Sequence, residues 1–150
     1  MDNAKALNYL ALGKKGRLVE LGEEPVGAVA RAVKARLVIV ASDASDHTWR
    51  RAKSFVAGTE QQCIRVSFTK EELGFVVGRQ SLAIAAFTDA ALALAFVKAL
   101  PNAEKFTEVV EKLDIKSKKL RQRKEEAKAQ ERNVRQGKKY VRPTVPALTG

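Results

Sequence analysis

The chain predicts an α/β fold, a sheet of mainly parallel or mixed strands with helices on both faces. Three observations carry this. Over the first 100 residues, segments with apolar side chains at helical spacing alternate with short apolar runs of strand length. Those runs fall at about 17–21, 37–41, 63–68 and 82–87. Capping or turn residues stand at most of the junctions between them.

Ala6, Leu7, Leu10 and Ala11 follow helical spacing, so residues 3–13 read as a first amphipathic helix. Gly13-Lys14-Lys15-Gly16 is expected to end it. That cluster is not a P-loop, which needs a longer spacing and a Ser or Thr after its lysine. A short strand over 17–21 follows.

The stretch Leu21-Gly22-Glu23-Glu24-Pro25-Val26-Gly27 then joins a turn to a helix over 25–34 and a buried strand over 37–41. Gly22 permits backbone conformations closed to other residues and lets another chain come close. Pro25 suits the first turn of a helix, and Glu23 and Glu24 sit where negative charge favours the helix dipole. Val26, Val29, Ala30 and Val33 repeat at helical spacing and should pack inward, while Gly27, Arg31 and Lys34 share another side. Two readings fit that side: a solvated basic face, or a surface for phosphate-bearing ligands near a helix start.

Ser42-Asp43-Ala44-Ser45-Asp46-His47-Thr48 is a loop rich in capping residues, with Ser45 or Asp46 capping a helix over 48–56. Asp43, Asp46 and His47 also invite an acid–base or metal reading. No second histidine, nucleophile or ligand cluster accompanies them, which favours a capping loop with an exposed histidine. Trp49 beside Arg50 and Arg51 fits either base stacking or half-buried packing. Residues 58–62 form a turn and 63–68 a strand. Thr69 and Glu72 have capping-box spacing for a helix to about Val77. Gly78-Arg79-Gln80-Ser81 is a tight polar loop, residues 82–87 are a strand, and Asp89 caps a largely buried helix over 90–100. Pro101 stops it. Gly-x-Gly-x-x-Gly is absent, so nothing supports a dinucleotide site.

Past Pro101 the character changes. Phe106, Val109, Val110 and Leu113 make one more apolar stripe, able to dock residues 103–113 on the domain. Residues 116–136 are almost wholly polar, with mixed charges at three- and four-residue spacing that support a solvated helix. From Gly137 onward an extended, mobile tail is expected. The division is therefore an α/β domain over 1–101 and a basic, partly helical, mobile extension over 102–150. That extension fits a solubilising segment or an arm contacting RNA or the ribosome.

Charge narrows the partners. The 150 residues carry 28 Lys and Arg against 17 Asp and Glu, a net charge of +11 and a pI of about 10.0. Residues 1–100 contribute +4 and residues 101–150 contribute +7. Such a field favours anionic partners, chiefly nucleic acid or an anionic membrane surface. A hydrophobic fraction of 45% with a mean hydropathy of -0.24 describes a soluble protein with a core. No stretch approaches the roughly 20 apolar residues of a membrane span. Residues 4–12 are interrupted by Lys5 and Asn8 and lack a cleavage-like end, so no signal peptide is expected. The lone Cys63 reads as a buried small residue in a reducing compartment. One cysteine and one histidine argue against structural zinc.

Four motifs follow one another along residues 7–100: Gly22-Glu23-Glu24; Lys34-Ala35-Arg36-Leu37-Val38-Ile39-Val40-Ala41; Ser42-Asp43-Ala44-Ser45; and Glu72-Leu73-Gly74 followed by Val77-Gly78. In these the chain resembles the kink-turn RNA-binding ribosomal-protein family (L-seven-Ae-like and L-thirty-e-like), and within it the bacterial YlxQ-like branch. The resemblance stops at Pro101. It implies a three-layer α/β/α sandwich around a four-stranded mixed sheet. It also implies an RNA site made by the turn into the second helix and the loop before the last strand.

The family's first element reads Gly-x-Asn-Glu-x-x-Lys and addresses the paired purines of a kinked duplex. Here Gly22 keeps its place, while Glu24, Pro25 and Ala28 stand at the Asn, Glu and Lys positions. Glu24 removes an amide donor and adds a charge that phosphates repel, Pro25 has no polar side chain, and Ala28 removes a cation. Recognition would then run through RNA shape and backbone, as is common for RNA helices. The implied contacts are Gly22, Glu23, Glu24, Gly27, Arg31 and Lys34, with Lys14, Lys15 and Arg17, and the loop residues Gly78, Arg79, Gln80 and Ser81.

The expected function is therefore non-catalytic binding of structured, kink-turn-like RNA by a ribosomal-protein-like, cytoplasmic monomer. Ribosomal proteins are further expected partners; no membrane partner, cofactor or metal is expected. The alternative is a protein-interaction scaffold of the ribosome or of the transcription or translation machinery, with the basic tail as tether. Related folds occur as substrate-binding parts of RNA methyltransferases. Here no second catalytic domain, nucleophile–base pair or metal set is visible, so no enzyme is expected.

Overall fold

Two strands in which every residue is buried, β2 (Leu37–Val40) and β4 (Ile84–Phe87), form the middle of the sheet. Strands covered on both faces read as continuous apolar runs, and both do so in this sequence. The computed structural model describes residues 3–135. Its other elements are α1 (Asn3–Lys15), β1 (Val19–Leu21), α2 (Glu23–Arg31), α3 (Asp46–Val56), β3 (Gln62–Arg65), α4 (Lys70–Val76) and α5 (Ala90–Lys98). A 3-10 turn at Ala103–Phe106 and the long α6 (Thr107–Arg135) follow.

Strand order is β1-β4-β2-β3, with β4 antiparallel to both β1 and β2, and β3 parallel to β2. Phe87 stands opposite Val19 on one side and Leu37 on the other. Helices α1, α4 and α5 pack together over one face, and α2 and α3 over the other. This is the expected α/β/α sandwich with a four-stranded mixed sheet. Phe87, Phe96, Leu10 and Leu37, each buried, sit at its centre, with the Phe87 and Phe96 rings 4.9 Å apart.

Contacts divide the chain into a unit over Met1–Asp114 and a second over Ile115–Gly150. Within the first unit, Leu113 is buried, and Phe106, Val109 and Val110 pack against the same core, as their apolar stripe predicted. The described part of the second unit is the remainder of α6. The extended tail expected from Gly137 onward lies outside the described residues.

Local chemistry sets the starts of α3, α4 and α5. Ser45 Oγ accepts the Thr48 N–H at 3.2 Å, and Asp89 Oδ2 accepts the Leu92 N–H at 2.8 Å. Thr69 Oγ1 accepts from Glu72 N while Glu72 Oε1 accepts from Thr69 N, completing the capping box. Each such cap stabilises by about 1 kcal/mol.

The strands are shorter than expected: β1 starts at Val19, β3 ends at Arg65 and β4 starts at Ile84, while α5 ends at Lys98. Three other helices also differ from expectation. Helix α1 runs through Gly13 to Lys15, because a Cβ at residue 13 would stand 2.6 Å from Val19 Cγ1, so the glycine serves packing against β1. Helix α3 begins at Asp46, directly after its Ser45 cap. Helix α2 begins at Glu23 and stops at Arg31, leaving Val33 54% exposed with φ +58 and Lys34 beyond the helix. Gln61 enforces that stop: buried, it donates to Ala30 O at 3.2 Å and accepts the Ala35 N–H at 2.9 Å. Lys34 therefore does not share a helix side with Gly27 and Arg31.

Between α4 and β4 the chain doubles back along α4, with Arg79 N donating to Gly74 O at 2.8 Å and Leu82 N to Lys70 O at 2.9 Å. Gly74 has no room for a side chain: a Cβ there would stand 2.8 Å from Arg79 O and from Ser81 Cα. Gly74→Ala gains at most about 1 kcal/mol of helix propensity. It loses about 1–3 kcal/mol to overpacking against backbone that cannot rotate away. The urea midpoint of the variant should therefore fall; an unchanged or raised midpoint would show that the loop yields freely.

Candidate functional site

Because β1, β2 and β3 run one way and β4 the other, the last residues of three strands and the first of the fourth share one end of the sheet. In open α/β sheets the carboxyl ends of the strands are where ligands are commonly held. Backbone bonds tie this end together. Gly22 N donates to Ile84 O at 3.0 Å, Ala41 N to Ala83 O at 2.9 Å and Ser42 N to Phe68 O at 2.8 Å. Asp43 Oδ1 accepts the Lys70 N–H at 2.8 Å, which accounts for that carboxylate as a structural acceptor.

Gly22 is the N-cap of α2, with φ +97 and no capping side chain. The first N–H groups of α2 therefore face outward without a side-chain acceptor at the cap, and Pro25 has none to satisfy. Arg79 Nη1 lies 3.7 Å from where a Gly22 Cβ would stand, so the loop before β4 brings a guanidinium to the helix mouth. On the other flank of that loop, Lys14 Nζ donates to Val77 O at 2.7 Å. It also lies 3.6 Å from a would-be Cβ at Gly78. The lysine thus satisfies a carbonyl at the C-terminus of α4, where a cation also suits the helix dipole. Gln80 and Ser81 are exposed in the same loop, and Lys15 is exposed beside Lys14.

A groove of about 470 Å³ lies between α2 and α3. Gly27 forms its floor, where a Cβ would stand 3.2 Å from the Phe55 ring and 3.3 Å from Arg31 Nη1. Glu23 pairs with Arg51, whose guanidinium also lies 5.3 Å from the Phe55 ring centroid. Both side chains are more than a third exposed, so the pair contributes at most about 1 kcal/mol. Glu24, Pro25 and Ala28 line the same groove. Arg51 and Phe55 were not legible as site residues. Their four-residue spacing puts them on one helix side, but nothing local says which glycine they will meet.

The remaining residues singled out from the sequence fall elsewhere. Arg17 precedes β1 and Lys34 precedes β2, at the end of the sheet where Thr88 N donates to Leu18 O and Arg36 N to Phe87 O. That is the end opposite Gly22 and Arg79. Trp49 is half-buried, with Arg65 and Lys53 at 5.2 and 5.3 Å from its ring centroid, which is the packing reading of that residue. His47 is exposed. Among the described residues no three His, Cys, Asp or Glu side chains are grouped to hold a metal ion. None of the described helices is long and apolar enough to cross a membrane.

No family model and no curated protein matches this chain. Among solved structures, a Bacillus halodurans protein of unknown function matches with a TM-score of 0.57 at 23% identity, over 73% of this chain and 99% of that one. A 15.5-kD RNA-binding protein of Giardia lamblia matches with a TM-score of 0.49 at 19% identity, over 75% and 87%. The first of these likenesses supports the fold described above.

Cys63, on the edge strand β3, is half-buried rather than fully enclosed. Burial nevertheless pushes its thiol up from 9.0 to about 12, with Lys53 pulling weakly the other way. Below pH 9 both folded and unfolded chains keep the proton. Above it the unfolded thiol ionises first, so stability falls as pH rises from 9.0 toward about 12. Cys63→Ala should flatten that fall in urea titrations, and Cys63 should react with a thiol reagent at pH 8 much more slowly folded than in denaturant. Equal rates would contradict the burial.

Proposed function

We propose that this chain is a non-catalytic RNA-binding protein that recognises structured, kink-turn-like RNA by shape and backbone, as its resemblance to the YlxQ-like branch implies. The observation that supports it most is the meeting of the uncapped α2 mouth at Gly22 with the Arg79 guanidinium. Backbone N–H groups at a helix start and a guanidinium are both donors suited to phosphate oxygens. Glu24, exposed one residue into α2, repels phosphate on its own side. A backbone bent across Gly22 toward the 78–81 loop meets the donors and avoids that carboxylate, whereas a straight duplex has no reason to follow this path. We take the protein to be a cytoplasmic monomer, working beside ribosomal proteins on ribosomal or other kink-turn-containing RNA.

A second reading, a protein-interaction scaffold with the basic extension as tether, is favoured by the α2–α3 groove. Its Phe55 wall and its Glu23–Arg51 pair make a near-neutral concavity that suits a protein segment better than a phosphate.

Filter binding of the full chain to a kink-turn RNA and to a straight duplex of equal length separates the two. The RNA reading expects preference for the kinked RNA; equal affinity contradicts it. Arg79→Glu should weaken kink-turn binding by at least about tenfold, ~1.4 kcal/mol. Arg31→Glu should weaken it more than Arg50→Glu, while Arg17→Glu and Lys34→Glu, at the far end of the sheet, should change it by less than about threefold. The reverse ranking would move the site.

A further inference from the structure

The chain's charge is not spread evenly along α6. Residues 116–124 hold six cations, Lys116, Lys118, Lys119, Arg121, Arg123 and Lys124, and no carboxylate. The nine residues before them, 107–115, carry a net charge of −2, and residues 125–135 carry none. All nine of these residues lie within one continuous helix. Lys118, Lys119, Arg121, Arg123 and Lys124 are exposed.

Two properties of this band are unlike a solvating helix. The first is repulsion. Lys116 and Lys119, Lys118 and Arg121, Arg121 and Lys124, and Lys119 and Arg123 are like-charge pairs at three- or four-residue spacing, each mildly destabilising to the helix. A helix selected for solubility alone would intersperse the signs, as Glu125, Glu126, Lys128, Glu131 and Arg132 do further along the same helix. The second is direction. At about 100° per residue the six cations point round the whole axis, with no gap wider than about 100°. A membrane surface or a flat protein face meets one side of a helix, and a membrane also needs an apolar side. Leu120 is the only apolar residue in the band.

We propose that residues 116–124 form a second RNA contact, a helix segment that lies along the mouth of the phosphate-lined deep groove of duplex RNA. The deep groove of an RNA helix is narrow, with phosphates of both strands along its edges and little access to the bases, so a helix meets it at the mouth. A helix cationic on every side answers phosphates on both edges at once, and it reads charge, not sequence. This contact therefore adds affinity without adding preference. The proposal shares with the reading of the α2 mouth only the class of partner.

The test uses the full chain and two double variants on opposite sides of the helix, Lys119→Gln with Arg123→Gln, and Arg121→Gln with Lys124→Gln. Glutamine is a good helix former, so circular dichroism should stay unchanged. Each pair should lower affinity for kinked and straight RNA by the same factor and leave their ratio intact. Each should also reduce the slope of log affinity against log salt by about 1.4–1.8, two phosphates' worth. An effect confined to one pair would mean a one-sided partner and would overturn the proposal, as would no effect of either. Loss of co-sedimentation with phosphatidylserine vesicles while RNA affinity holds would overturn it as well. If the unsubstituted chain prefers kinked RNA and the helix variants behave like it, only this inference fails. If the chain binds neither RNA, both readings fail together.

Discussion

The close approach of Gly74 to the backbone of Arg79 and Ser81 is the constraint on which the candidate site rests. A Cβ at residue 74 would stand 2.8 Å from two of those backbone atoms. Without one, the chain after α4 lies flat along that helix and is held at both ends by backbone hydrogen bonds to Gly74 and Lys70. The same path fixes where β4 starts, and β4 is the strand to which both β1 and β2 pair. One packing contact therefore registers the middle of the sheet and delivers Arg79 to Gly22. Stability and site geometry are coupled through it.

The cations around the domain divide by what the fold asks of them. Lys14 holds a carbonyl at the end of α4, Arg51 pairs with Glu23 and covers Phe55, and Lys53 and Arg65 cover Trp49. Their charge is partly occupied inside the molecule. Arg79 is exposed and stands beside backbone donors that no capping side chain has taken. The band at 116–124 is a different case, since its charge is concentrated at the expense of local repulsion.

Much of the architecture was legible because its causes are local. Thr69 and Glu72 lie three residues apart, so the capping box could be read directly, and it forms. The apolar runs at Leu37–Val40 and Ile84–Phe87 announce strands buried on both faces. What could not be read depends on residues far away in sequence. Val33 continues the apolar spacing of α2, yet it takes φ +58 because Gln61, nearly thirty residues on, ties up Ala30 and Ala35. Gly13 resembles a helix stop and is instead a packing site for Val19.

The site follows the same division. Gly22 and the 78–81 loop could be singled out as turns, but their meeting depends on β4 running against its neighbours, which no local pattern specifies. Arg17 lies five residues before Gly22, and β1 carries it to the opposite end of the sheet, roughly 10 Å of strand away.

Titration of the isotope-labelled full chain with a kinked RNA, following backbone amide shifts, tests the central claim most directly. The amides of Gly22, Glu23 and Glu24 and of residues 78–81 should move first and furthest, while those of Arg17 and Lys34 move little. Shifts confined to α6, with the Gly22 mouth unmoved, would contradict it.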